Sequence, residues 1–174
     1  MRGLVIIHTG DGKGKTTAAL GLAIRAVGAG LRVLIFQFIK GGRHCGELDA
    51  LEILKKSGLP IEIRQGGLGF TSKGDPTEHK KAARETLNLV RKEILSGNFD
   101  MIILDEINYA VKFDLITKDE LLELLKIRPP ELHLIFTGRD ALPELIDRAD
   151  LVTEMKLVKH PFQKGIKAQV GIEF

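Results

Sequence analysis

Thr9-Gly10-Asp11-Gly12-Lys13-Gly14-Lys15-Thr16-Thr17 decides the fold. An apolar run, Leu4-Val5-Ile6-Ile7, leads into it, and a helical pattern beginning Ala18-Ala19-Leu20 leads away. Strand, glycine-rich turn, Gly-Lys-Thr and helix is the layout of a phosphate-binding loop. The glycines let the backbone curl so that successive N–H groups converge on phosphate oxygens. The helix adds its free amino-terminal N–H groups and the positive end of its dipole. Gly10, Asp11, Gly12, Lys13, Gly14, Lys15, Thr16 and Thr17 are therefore the expected nucleotide-binding residues. Lys15 supplies a point charge to the phosphates, and the Thr16 hydroxyl is available to Mg2+. The spacing departs from the common pattern in one place. G-x-x-x-x-G-K-[ST] asks for glycine at position 9, where this chain has Thr9, and Gly10 comes one residue late. The loop is expected to cradle phosphates along a path of its own.

Bulk properties narrow the class. The 174 residues suffice for a single domain, 1–174, with a substantial core, and fall short of two ordinary ones. Hydrophobic residues at 44% and charged residues at 28% lie in the globular range. No apolar run approaches a membrane-spanning length, and no secretory leader is visible. One cysteine, Cys45, allows neither an internal disulfide nor a thiolate metal cage. A reducing, cytoplasmic setting follows, with no membrane partner. The net charge of +3 is too small to argue for nucleic acid as a partner.

Outward from the loop, strand patterns recur at 2–8, 31–38, 60–64, 100–106, 132–137, 150–158 and 169–174. Helical patterns fill 15–27, 47–56, 77–95, 107–113, 117–127 and 141–148. Asp75-Pro76 caps the long helix, whose expected inward stripe is Ala82, Ala83, Thr86, Leu87, Leu89, Val90, Ile94 and Leu95. Thr117 with Glu120 reads as a capping box. Strands alternating with helices mean a parallel sheet covered on both faces, with right-handed crossovers. The expected fold is α/β: a three-layer, P-loop NTPase-like (RecA-like) architecture with a mostly parallel sheet.

Other residues point to chemistry at the same sheet edge. A hydrophobic strand ending in Asp105-Glu106 is the usual partner of a phosphate loop, so both acids are candidate Mg2+ ligands. Glu106 could instead orient an attacking water. Arg139, after Thr137-Gly138, should reach that edge to meet a phosphate or carboxylate, or else pair with Asp140 or Glu144. A second glycine-rich loop, 66–74, carries Phe70, which has no obvious place in a core. Lys156, Lys159, His160, Lys164 and Lys167 form a basic stretch near the carboxyl end. His8 reads as a packed strand residue, and His44 with Cys45 is too small a set for a metal site. These residues alone leave two functions open: a Mg2+-dependent ATPase or kinase, and a nucleotide-gated nucleic-acid module.

The loop with its offset glycine resembles that of the P-loop-type ATP:corrinoid adenosyltransferases. So do Phe36-Gln37-Phe38-Ile39-Lys40-Gly41, Gly69-Phe70-Thr71, Leu104-Asp105-Glu106-Ile107 and Thr137-Gly138-Arg139. The stretch Val158-Lys159-His160-Pro161-Phe162, with Gly165-Ile166-Lys167-Ala168-Gln169-Val170-Gly171-Ile172, is the most specific part. The resemblance implies that a Co(I) corrinoid, cobalamin or cobinamide, attacks the ribose C5′ of ATP and that triphosphate leaves. It implies ATP as co-substrate and Mg2+, replaceable by Mn2+, held by Thr16 and Glu106 with Asp105 close by. Lys15 and Lys13 would neutralise the leaving group, and Phe70 would place the corrinoid and keep its lower ligand off cobalt. A homodimer and an electron-donor flavoprotein are also implied. Ser72 stands where better-known members have Trp, so a thinner aromatic wall is expected. Only Met1-Arg2-Gly3 precedes the first strand, so the family's covering amino-terminal extension is expected to be missing.

Overall fold

A computed structural model describes residues 2–41, 44–69 and 75–173. The first strand, β1 (Val5–Thr9), feeds the glycine loop, and α1 (Lys15–Gly28) carries the chain back along the sheet. The pattern repeats through β2 (Val33–Gln37), α2 (Gly46–Lys56), β3 (Ile61–Gln65) and α3 (Pro76–Ser96). Then come β4 (Met101–Asp105), α4 (Ile107–Lys112), α5 (Lys118–Ile127), β5 (His133–Thr137), α6 (Pro143–Ile146) and β6 (Leu151–Glu154). The strands run in the order β3-β2-β4-β5-β1-β6, and every pairing is parallel. The sheet is thus wholly parallel among the described residues, where a mostly parallel one is expected.

Parallel strands covered on both faces must be apolar on both. Accordingly β1, β2 and β4 are buried along their whole length. One face packs Ile6, Val33, Ile35, Met101, Ile103 and Ile135 against Ala19, Ala23, Ala26 and Val27 of α1 and Leu51 of α2. Small residues on α1 let the phosphate-loop helix lie close to the sheet. The other face packs Leu34, Phe36, Ile102, Leu104, Leu134 and Phe136 against α3, α4 and α5. The three layers are therefore those that the strand–helix alternation predicts. Phe136 is wholly buried at the centre, and its truncation to Ala should cost roughly 3–5 kcal/mol.

Three expectations fail. Of the inward stripe proposed for α3, Leu89 and Leu95 are exposed, whereas His79 is buried in that face. The helix expected over 141–148 shrinks to α6, because Pro143 starts it and Asp140 before it takes a left-handed φ of 55°. The strand expected over 169–174 is absent among the described residues: Ile172 and Glu173 donate N–H bonds to the Gln169 carbonyl and close a turn. Gly171 takes a left-handed φ of 77° there, which a continuing strand does not tolerate.

Candidate active site

The displaced glycine has a local cause. Thr9 still belongs to β1, paired with Glu154, and its Oγ1 accepts the Ala141 N–H at 3.2 Å. Position 9 is extended backbone, so no glycine is needed. The turn opens at Gly10, with φ of 93° and so little room that a Cβ would lie 2.6 Å from the Met155 carbonyl oxygen. That carbonyl accepts the Gly12 N–H at 2.6 Å, and the Met155 N–H donates to the Thr9 carbonyl at 2.8 Å. The segment after β6 thus braces the loop. Gly14 precedes α1 in the left-handed region, and no side chain caps the helix. Its first-turn N–H groups are left for an anion.

Lys15 curls back on this loop. Its Nζ donates to the Gly10 carbonyl at 2.7 Å and the Gly12 carbonyl at 2.6 Å. Burial, and then the nearby Arg139 guanidinium, lower its pKa. Lys13 is engaged by the carboxyl-terminal segment: its Nζ lies 2.8 Å from Glu173 Oε2 and donates to the Ile172 carbonyl. Arg139 pairs loosely with Asp11, Nε to Oδ1 at 3.7 Å. Its alternative partners are taken, since Lys112 holds Asp140 and Lys118 holds Glu144.

The strand-end acids meet the loop although β5 separates β1 from β4. The Thr16 hydroxyl donates to Asp105 Oδ1 at 2.8 Å, and the Thr137 hydroxyl donates to the same oxygen at 2.8 Å. Thr137 Oγ1 also accepts the Glu106 N–H at 2.9 Å. Asp105 is fully buried, behind Thr16, while Glu106 faces the cavity. Glu106 adopts a left-handed φ of 60°, an unusual state for a side chain of this kind. Burial, and then the charge of Asp105, push its pKa up to about 7 despite Lys40 and Lys15.

These groups fit a hard divalent cation. The Thr16 proton is spent on Asp105, which leaves oxygen lone pairs for a metal, and Glu106 supplies a carboxylate. Among the described residues no group of three or more His, Cys, Asp or Glu side chains is arranged to hold a metal ion. Thr16 with the single carboxylate of Glu106 suits Mg2+, which is held through one or two carboxylates plus phosphates and water.

The loop from Asp11 to Thr17 and Glu106 open on a cavity of about 770 Å³, of a size that takes a small-molecule ligand. Comparison with known proteins decides its class. The family model described as "ATP:corrinoid adenosyltransferase BtuR/CobO/CobP" matches residues 1–174. The chain belongs to the ATP:corrinoid adenosyltransferase family. A corrinoid adenosyltransferase of Sinorhizobium is 42% identical over 99% of this chain and 81% of its own. That of Escherichia coli K12 is 38% identical over 99% and 86%, and the corrinoid adenosyltransferase CobA of Salmonella typhimurium LT2 is 40% identical over 99% and 86%. Solved structures agree on the fold alone. The flagellar accessory protein FlaH of Methanocaldococcus jannaschii matches with a TM-score of 0.56 at 15% identity, covering 88% of this chain and 71% of that one. The RadB recombinase matches with 0.54 at 17%, covering 91% and 77%.

In this adenosyltransferase-family chain the cavity gathers Asp11 to Thr17, Glu106 and Arg139, as the motifs predict. Gly10 shapes the turn without lining the cavity, and Asp105 stands behind its wall. Phe70 and Ser72 lie outside the described residues. Of the basic stretch near the carboxyl end only His160 lines the cavity, and the lysines point to solvent. Sequence reasoning missed Glu47, Tyr109 and Glu173, which also line it, and gave no individual role to Lys40, which lines it from the basic loop expected at this edge. Lys40 carried a usable signal, since it follows β2 at the same sheet edge. Glu173 carried none, because only the folded turn brings it to Lys13.

Proposed function

We propose that the protein transfers the 5′-deoxyadenosyl group of ATP to the cobalt of a reduced Co(I) corrinoid and releases triphosphate. Family membership along the whole chain carries this reading. Co(I) supplies both electrons of the new cobalt–carbon bond. The C5′–oxygen bond breaks, and its electron pair departs with the triphosphate. Cobalt(I) needs no general base, so the protein must align C5′ and stabilise the leaving charge. In our assignment Lys15, the loop N–H groups, Lys13 and Arg139 bind the triphosphate. Lys13 exchanges Glu173 for phosphate as ATP enters. Thr16 and Glu106, with Asp105 behind, would hold Mg2+. When bound, Mg2+ would offset phosphate charge. Phe70 is assigned to the corrinoid side of the site.

The single domain 1–174, a cytoplasmic setting, a flavoprotein reductant and a homodimer complete the proposal. Exposed Leu151 and Val152 on the edge strand β6, with exposed Phe162 and Val170 beyond it, support a self-association face. Among the described residues no helix is long and apolar enough to cross a membrane.

The deciding assay combines the protein with ATP, Mg2+ and chemically reduced cobalamin. Adenosylcobalamin and triphosphate should form in equal amounts. ADP and orthophosphate in their place would overturn the reading in favour of an ATPase or kinase.

A further inference from the structure

Among the described residues Lys40 is the cavity lysine with no assigned role. It follows β2, is largely shielded from solvent, and lines the same cavity as Lys15 and Thr16. Its Nζ lies 2.9 Å from Glu47 Oε1 and 3.9 Å from Asp105 Oδ2. Burial alone disfavours the ammonium, but Asp105 and Glu47 outweigh it and keep the group charged. Glu47 does not depend on Lys40 for its place. Gln37 Nε2 reaches both Glu47 Oε1 and Asp105 Oδ2 at 3.3 Å, and Gln65 Nε2 fixes Gln37 by donating to its Oε1 at 2.9 Å.

The other two lysines of the site are tied to backbone: Lys15 to loop carbonyls, Lys13 to the Ile172 carbonyl as well as Glu173. Among the described residues Lys40 is held only by carboxylate charge, and one of those carboxylates, Asp105, accepts from Thr16, the hydroxyl assigned above to a divalent cation. A divalent cation held by Thr16 and Glu106 would offset the charge of Asp105 and weaken its hold on the ammonium. The strongest remaining anion in the cavity is then the triphosphate.

We propose that Lys40 is a third triphosphate-binding cation, parked on Glu47 in the empty site and transferred to the leaving group when nucleotide and divalent cation enter together. The inference rests on the proposed function for its ligand. It places a positive charge where negative charge grows as the C5′–oxygen bond breaks, the condition for stabilising a transition state more than a ground state.

Calorimetric titration of the full chain with inorganic tripolyphosphate, with and without Mg2+, tests this without any corrinoid. Lys40→Met should weaken binding about tenfold in Mg2+, the effect expected for a lost charge-assisted contact. Lys40→Arg should recover most of it. Glu47→Gln releases the parked cation and should tighten Mg2+-free binding about two- to fivefold, the range of a weak ion pair. Weakening by both variants would overturn the proposal, since Glu47 would then support the site instead of competing with the phosphates for Lys40. So would unchanged binding in Lys40→Met. If Lys40→Met does not fold, Lys40→Gln takes its place, and unchanged binding in Mg2+ overturns the proposal. Adenosyl transfer with flat titrations would sink Lys40 and spare the function; the reverse result would do the opposite.

Discussion

Two aspartates bracket one strand, and their surroundings are opposites. Asp100 stands just before β4 at the amino edge of the sheet, and Asp105 ends β4 at the carboxyl edge. Asp100 accepts the Arg32 guanidinium through both oxygens, at 2.8 and 3.0 Å, and the Arg32 backbone N–H at 2.8 Å. The arginine bonds hold its carboxyl down to a pKa of about 2. Asp105 shares one oxygen between two threonine hydroxyls, and beside it Glu106 is pushed up to about 7. One edge satisfies its charges and contributes stability. The other keeps charges desolvated and close together, at a cost that the proposed nucleotide and divalent cation would offset. That difference separates a structural carboxylate from a functional one more sharply than residue type does.

The comparison breaks most visibly at Lys15. Lys15→Ala should lower adenosyl transfer about 10²–10³-fold, mostly in kcat, because it removes charge stabilisation at the leaving group. Folding stability should barely move. A variant that melts early but turns over normally would make Lys15 structural, like Asp100.

Glu106→Gln tests the strained edge directly. The folded pKa of about 7 exceeds the unfolded value of 4.5, so ionisation of Glu106 opposes folding. The full penalty is present above pH 7 and disappears as pH falls to about 4.5. Denaturant titrations of the free protein should therefore show Glu106→Gln stabilised by about 2 kcal/mol at pH 8 and matched to wild type near pH 4.5. Activity should fall in the same variant. A destabilised variant at pH 8 would remove the contrast between the edges.

Thr137→Val deletes a donor to Asp105 and the acceptor for the Glu106 N–H. It should cost about 1–2 kcal/mol, since it leaves a buried carboxylate with fewer donors. Equal stability would show that the hydroxyl is replaceable by water.

Asp100→Asn should cost about 1 kcal/mol at neutral pH, after allowance for solvent screening. Its folded pKa lies below the ordinary 3.8, so the wild-type advantage is whole above 3.8 and lost as pH falls towards 2. A pH-independent difference would mean that shape, and not charge, holds that corner.

The smallest effect belongs to His8. It is buried on β1, and neither ring nitrogen has a hydrogen-bond partner among the described residues. Burial lowers its pKa below 6.5, so the unfolded chain takes up the proton first and stability declines as pH drops below 6.5. His8→Phe should flatten that decline by up to about 1 kcal/mol between pH 7 and 5, read as a Tm difference. A slope identical to wild type would show that His8 does not titrate in this range.

The chain's own order determined the frame. Apolar runs such as Ile102-Ile103-Leu104 separated by helical patterns suit only a parallel sheet covered on both faces, and Gly-Lys-Thr after the first run locates the phosphate edge. Local rules were enough there, because hydrophobic period, capping and turn chemistry act within a few residues. The Thr117–Glu120 capping box and the Asp75 cap appear where those rules put them. Local rules failed for the strand expected over 169–174, where contacts with the phosphate loop compete with extended backbone. Only the tertiary structure decided which side chains meet. Thr16 and Asp105 are 89 residues apart, Lys13 and Ile172 are 159 apart, and their meeting depends on strand order. Thr9 shows the same division. Its identity marks the loop as unusual, but pairing with Glu154 on β6 holds position 9 in the strand and moves the turn to Gly10.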